Sequence, residues 1–227
     1  MLSPTRVRDA FVRPLYENGS MSHRAGLYRM LENPGVYRRF QKLLGGPAAL
    51  RRLVTEYVRP SDGVRLLDIG CGTGSLLEYL PSSVSYVGFD VNSSCIDVAR
   101  RRYHDRGRFF HARVGEEPPE IGDSRFDLVV AIGLLHHLTD EDARHVLRTA
   151  ARVLISGGAF VSIDGTLHGG QHWLSRLLAR LDRGSEVRSP EAYRRLVEPH
   201  LPQVETWLLT DLLAVPYSYC VMRAQQR

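Results

Sequence analysis

The residues best suited to chemistry stand in the run Leu66-Leu67-Asp68-Ile69-Gly70-Cys71-Gly72-Thr73-Gly74-Ser75. Glycines at 70, 72 and 74 let the backbone turn tightly and let a ligand lie against it with no Cβ in the way. Val64 to Ile69 is short and mostly apolar, as a buried strand is, and Ser75-Leu76-Leu77-Glu78-Tyr79-Leu80 opens a helix expected over about 74–80. Strand, glycine turn and helix N-terminus together suit a nucleotide-type ligand, with free N–H groups as donors to its polar atoms. A dinucleotide fingerprint, G-x-G-x-x-G, would need glycine at 75, where this chain has Ser75. The next apolar run, Val84 to Phe89, ends at Asp90. That acid lies about 20 residues past the first glycine, where a carboxylate accepts hydrogen bonds from ribose hydroxyls.

The other groups able to titrate near neutral pH are histidines, among them His23, His136, His137 and His168. His136-His137 follow the apolar run Phe126 to Ile132. No metal is expected: adjacent side chains on a helix do not face one site, and nothing resembles H-E-x-x-H or paired C-x-x-C. A G-x-S-x-G elbow and a Walker lysine are also absent. Cys71, Cys95 and Cys220 are odd in number and lack metal-type spacing, which fits a reduced cytoplasm. Cys71 is expected to be a small side chain tolerated by a tight turn, not a nucleophile.

From Gly63 the chain alternates strand and helix. Strands are expected at 64–69, 84–89, 107–114, 126–132 and 159–163. Helices are expected at 93–103, capped by Asn92, and at 140–153, capped by Thr139. Such alternation implies a parallel, doubly wound sheet with right-handed crossovers. After Asp164 the rhythm changes: a loop, then a helix from Gln171 to Leu181 with Trp173, Leu174, Leu177 and Leu178 on one face. Ser189-Pro190-Glu191 starts another helix. Val204 to Thr210 and Tyr217 to Met222 are strands joined too briefly for a crossover helix, so they should be antiparallel. Before the alternation, 36–44 and 48–58 read as amphipathic helices outside the pattern. The expected organisation is an N-terminal helical cap over 1–60, then one α/β domain over 61–227 with an insertion at about 165–188.

The bulk numbers are those of an ordinary globular chain: 227 residues, 43% hydrophobic and 24% charged. No apolar run approaches the ~20 residues of a membrane span, and residues 1–20 hold no signal-peptide core. Net charge is +5, but the arginines are scattered, which favours solvated helix faces over a nucleic-acid surface. Either a monomer or a homodimer is compatible with the sequence.

The D-x-G-x-G-x-G run with Asp90 resembles motif I and the ribose-binding acid of class I S-adenosylmethionine-dependent methyltransferases. Two later stretches agree: Phe126 to Ala131 with Leu134-Leu135-His136-His137-Leu138, and Ala151-Arg152-Val153-Leu154 with Gly157-Gly158. The resemblance covers roughly residues 60–165, and the tail from Ser189 is similar to a small-molecule branch. It implies a Rossmann-like, mostly parallel seven-stranded α/β sheet with an antiparallel last strand. It also implies S-adenosylmethionine as donor, S-adenosylhomocysteine as product and a small molecule as acceptor. In the family's terms, Asp68, Gly70, Cys71, Gly72 and Gly74 hold the methionine end, directly or through backbone. Asp90 holds the ribose, Val91 lies on the adenine, and Ala131 borders the cofactor from the fourth strand. The usual adenine-side acid is replaced by Arg113 in Ala112-Arg113-Val114-Gly115-Glu116. Backbone groups at Arg113 and Val114, or Glu116 shifted in register, take its place. The early helices and the 165–185 insertion are expected to shape the acceptor pocket, with Tyr16, Tyr28, Tyr37 and Trp173 as lining candidates.

Methyl transfer from a sulfonium is a direct displacement, so the protein's main task is alignment and exclusion of water. A general base is needed only where the acceptor holds a proton tightly, as a phenol with a pKa of ~10 does. His137 is the first candidate for that base, His136 and His168 the next. No Asn-Pro-Pro-Tyr type motif follows the fourth strand, which reads Ala131-Ile132-Gly133-Leu134, so base methylation of nucleic acid is disfavoured. The expected reaction is methylation at O, N or C of a small molecule, in the cytoplasm. The alternatives are a methyltransferase fold that binds the sulfonium but catalyses a cyclisation or isomerisation, and a non-catalytic partner subunit.

Overall fold

The computed structural model describes residues 46–116, 119–122, 124–181, 186–213 and 216–226. The readings of residues 1–45, including the helix at 36–44, His23, Tyr16, Tyr28 and Tyr37, lie outside them. The strands are β1 Arg65–Ile69, β2 Ser85–Asp90, β3 Gly107–His111, β4 Phe126–Ile132, β5 Leu154–Gly165, β6 Gln203–Leu209 and β7 Tyr219–Gln225. They form one seven-stranded sheet in the order β3-β2-β1-β4-β5-β7-β6. Pairings from β3 through β5 are parallel, and β7 runs antiparallel to both β5 and β6. The order reverses between β1 and β4. A ligand cleft in such a sheet lies outside the strand C-termini at that switch.

The helices are α1 Gly46–Leu53, α2 Ser93–Tyr103, α3 Pro119–Gly122, α4 Asp140–Val153, α5 Trp173–Leu181 and α6 Pro190–Val197. Side chains on the central strands alternate between two layers. Leu67, Val129, Ala131 and Phe160 pack with Val146, Leu147 and Ala150 of α4 and Tyr193 and Val197 of α6. Leu66, Leu128, Val130 and Val161 pack with α1 and α2 on the other side. Being covered on both faces is why β1 and β4 read as near-continuous apolar runs. Side-chain caps fix the helix starts: Cys95 N donates to Asn92 Oδ1 at 3.2 Å, Asp142 N to Thr139 Oγ1 at 3.2 Å, and Ala192 N to Ser189 Oγ at 3.2 Å. No helix among the described residues is long and apolar enough to cross a membrane.

Four expectations are corrected. The stretch 74–80 is a 3₁₀ turn, Ser75–Tyr79, not an α-helix. Leu80 is already extended (φ −87°, ψ 145°), as expected of a residue before Pro81. Strand β3 stops at His111 rather than 114, because the chain turns at Gly115 (φ +89°) with Glu116 N donating to Arg113 O. Strand β5 begins five residues early: Leu154 pairs with Phe126, and a wide irregularity precedes the pairing of Ala159 with Leu128. Residues 46–58 pack into the core of the sheet domain. Ala49, Leu53, Val54, Tyr57 and Val58 are buried in the core layer with Leu66 and Val221, and Arg223 donates to the carbonyls of Tyr57 and Val58. Finally, α5 turns Ser175 and Ala179 inward, while Trp173 is 69% and Leu177 44% exposed. Buried polar partners draw Ser175 in: its Oγ accepts from Gln171 Nε2 at 2.7 Å and lies 3.3 Å from Ser218 Oγ.

Candidate functional site

The glycine turn leaves β1 with Gly70, Gly72 and Gly74 all at positive φ, 73°, 53° and 71°. Gly70 N and Cys71 N both donate to Phe89 O, and Gly74 N donates to Cys71 O, so the turn is bound to β2 and closed on itself. Its sides differ. A Cβ on Gly74 would lie 2.7 Å from the Phe109 ring, whereas one on Gly72 would meet nothing within 4 Å. Gly74 is glycine because the core is against it. Gly72 has an open side, and there a ligand can reach the backbone.

Asp90 stands at the rim. Its Oδ2 accepts from Gly72 N at 2.9 Å and its Oδ1 from Asn92 N at 2.7 Å. Each oxygen keeps acceptor capacity for a ligand hydroxyl. Val91, next to it, is 55% exposed, an apolar surface of the kind a planar ring covers. His111 Nε2 lies 3.0 Å from Val91 O. Arg113 is exposed and Val114 half-buried, in the turn that Gly115 closes. Ala131 is fully buried in the core layer, backbone included.

Asp68 lies beneath the turn, 4% exposed, with Tyr86 Oη donating to its Oδ2 at 2.6 Å. Burial pushes its carboxyl up to about 7; the Tyr86 hydrogen bond opposes that and the nearby Asp90 charge adds to it. Cys71 is buried, and burial raises its thiol well above the ordinary range, with Asp68 and Asp90 adding to the effect. A thiol so placed is a poor nucleophile.

Across the switch, the chain leaves β4 through Gly133 and a 3₁₀ turn, Leu135–His137. His136 is 8% exposed. Its Nδ1 lies 2.9 Å from Asp164 Oδ1, and its backbone N donates to the same oxygen at 3.2 Å. His137 is exposed, and the two rings stand 4.0 Å apart, tilted by 40°. A tight turn thus brings adjacent histidines together, which an α-helix would not. His168 lies elsewhere: its Nε2 is 3.2 Å from Ser218 Oγ and its N donates to Gln171 Oε1. Among the described residues, no three His, Cys, Asp or Glu side chains come together as a metal site requires.

Three residues here escaped the sequence reading. Tyr86 holds Asp68, Asp164 holds His136, and Arg188 holds the histidine turn. The Arg188 guanidinium donates to the carbonyls of Leu135 (2.8 Å) and Leu138 (2.8 Å) and to Asp140 Oδ1 (2.8 Å). Glu186 N donates to His136 O. A charged residue closing an otherwise apolar strand was the available signal for Asp164, as it was for Asp90.

A methyltransferase-domain family model matches residues 67–160, from β1 into β5. A ubiquinone/menaquinone biosynthesis C-methyltransferase of Xylella fastidiosa is 32% identical over 146 residues, covering 61% of this chain and 53% of its own. The 27-O-demethylrifamycin SV methyltransferase of Amycolatopsis mediterranei is 38% identical over 103 residues, covering 42% and 36%. The chain thus spans about half the length of the curated relatives it matches. Among solved structures, a phosphoethanolamine N-methyltransferase of Haemonchus contortus, bound to phosphomonomethylethanolamine and S-adenosylhomocysteine, superposes with a TM-score of 0.70. It covers 91% of this chain and 60% of that one at 15% identity, a likeness of fold alone.

Proposed function

We propose that this chain, a member of the class I S-adenosylmethionine-dependent methyltransferases, transfers a methyl group to oxygen, nitrogen or carbon of a small-molecule acceptor. The observation that carries the reading is the glycine turn with one open side, at Gly72, bordered by Asp90. The residues fit the family's donor. The Gly70–Gly74 backbone and Asp68 would take its methionine end, Asp90 its ribose hydroxyls and Val91 its adenine face, with backbone at Arg113 and Val114 on the adenine edge. S-adenosylmethionine, when bound, supplies a sulfonium methyl already activated for displacement.

The chain's own residues then have three tasks. Asp68 and Asp90 place negative charge under a cationic ligand. The turn fixes where that ligand lies, which sets the approach line for an acceptor. The histidine turn after β4 offers a base where the acceptor's proton is held tightly. Relatives named for ubiquinone and menaquinone biosynthesis and for a demethylrifamycin support a small acceptor.

The test is incubation with methyl-labelled S-adenosylmethionine and a desalted extract of the source cells, followed by separation of label by size and solubility. Label in a small molecule whose mass has gained one methylene is the expected result. Label in RNA or protein would overturn the acceptor class. A product of unchanged mass would replace methyl transfer by cyclisation or isomerisation on the same site.

A further inference from the structure

Helix α5 docks against the sheet through its small and polar side. Ser175 and Ala179 are buried, as is Gln171 just ahead of the helix. The Gln171 amide is oriented by two partners that work one way only: its Oε1 accepts the His168 N–H, and its Nε2 donates to the Thr166 carbonyl. The same Nε2 donates to Ser175 Oγ at 2.7 Å, and Ser175 Oγ lies 3.3 Å from Oγ of Ser218, the residue before β7. His168 Nε2 is 3.2 Å from that Ser218 oxygen, and Thr166 N donates to Ser218 O. These bonds tie the start of α5 to the end of β5 and the start of β7. Rolling the helix over to bury other side chains would strand buried donors and acceptors, which is costly.

What the tie leaves outside is apolar and basic. Trp173 and Leu177 are both exposed and stand one turn apart on one face of the helix. Arg176, also exposed, lies beside Trp173 on the next turn and has no ion-pair partner among the described residues. From Gly165 to Leu181 the chain contains no Asp or Glu.

We propose that this face of α5 docks on a membrane surface carrying anionic lipid, with Trp173 and Leu177 entering the headgroup layer and Arg176 against the lipid phosphates. An indole suits that depth, its ring in the apolar boundary and its N–H towards water. Shallow insertion of a few apolar side chains flanked by cations is how an interfacial helix binds. Other occupants fit the face less well. One indole and one leucine side chain offer far less than the ~800 Å² per partner of a stable protein interface. A second copy, meeting the face with the same face, would bring cations to cations with no acid between Gly165 and Leu181 to pair them. Helix α5 follows the C-terminal end of β5, the end at which the glycine turn leaves β1. Docking there brings the cleft end of the sheet to the lipid.

The experiment is sedimentation of the full chain with vesicles of phosphatidylcholine alone, and of phosphatidylcholine and phosphatidylglycerol in equal parts. The chain has two tryptophans, so Trp207→Phe leaves Trp173 as the sole fluorescent reporter. The chain is expected to sediment with the mixed vesicles and not with phosphatidylcholine alone, with Trp173 emission moving to the blue and high salt reversing both. Trp173→Ser should weaken vesicle binding by about tenfold or more, and Arg176→Gln by about fivefold, the worth of one cation near an anionic surface. No binding to the mixed vesicles, equal binding to both kinds, or unaltered binding in Trp173→Ser would overturn the proposal. So would an emission already blue and unmoved by vesicles, which would show the indole covered by the chain itself. A mass that doubles with concentration in wild type and not in Trp173→Ser would assign the face to a second copy and overturn it too. Sedimentation of wild type and Trp173→Ser decides the matter if Trp207→Phe does not fold. None of these readings involves turnover, so their failure is separate from failure of methyl transfer.

Discussion

Around the glycine turn, hydrogen bonds stay within one strand–turn–strand unit and mostly involve backbone: Gly74 N to Cys71 O, Gly72 N to Asp90, Asn92 N to Asp90. Around the histidine turn, the partners arrive from far along the chain. Asp164 stands 28 positions from His136, and Arg188 stands 53 from Leu135. The hydrogen bonds of the first region stay within residues 68–92. The second exists only when β4, β5 and the approach to α6 are all in place. One sheet can therefore keep the donor side constant while side chains from distant segments redefine the acceptor side.

The largest effect should come from striking the local device at its packed position. Gly74→Val combines a positive φ with a Cβ 2.7 Å from Phe109, and should cost about 3 kcal/mol or more in urea unfolding. Next, Asp90→Ala should lower S-adenosylmethionine affinity by about a hundredfold in calorimetry, the worth of two hydrogen bonds to a charged acceptor at ~1.5 kcal/mol each. Unchanged affinity would withdraw the cofactor assignment. Arg188→Ala strips the Leu135 and Leu138 carbonyls of a nearly buried partner, and should cost about 2 kcal/mol of stability with donor affinity kept. Donor affinity falling with it would show that the two regions are one unit.

A subtler effect concerns pH. The Asp68 carboxyl is raised to about 7 by burial, so the folded chain holds that proton more tightly than the unfolded one. Its contribution to stability is therefore full below pH ~4 and is lost as pH rises through about 7. Asp68→Asn should flatten that decline in a pH series of thermal unfolding. A cationic ligand favours the ionised form, so donor affinity should rise over the same window, and a flat response would place the cation away from Asp68.

Elements whose signals are local matched closely. Strand β4 and helix α4 fall at 126–132 and 140–153 as expected, because an apolar run and the Thr139 cap lie in their own residues. The glycine turn and Asp90 were legible for the same reason. What was not legible depends on contacts made at a distance. Nothing near Ser175 shows that Gln171 and Ser218 draw it inward and turn Trp173 out. Nothing near His136 shows that Asp164 receives it. The sequence spacing 136–137 even argued against the rings meeting, since that reasoning assumed an α-helix where the chain makes a 3₁₀ turn.

The last strand of the chain lies inside the sheet. Strand β7 fills the place between β5 and β6, and among the described residues β6 pairs with β7 alone. During synthesis, β6 therefore leaves the ribosome with no neighbour to bond, and its exposed backbone waits until residues 219–225 follow. The same strand sends Arg223 to the carbonyls of Tyr57 and Val58, so the earliest described helical segment is also secured late. Shortening the chain through β7 removes two strands from the sheet rather than one.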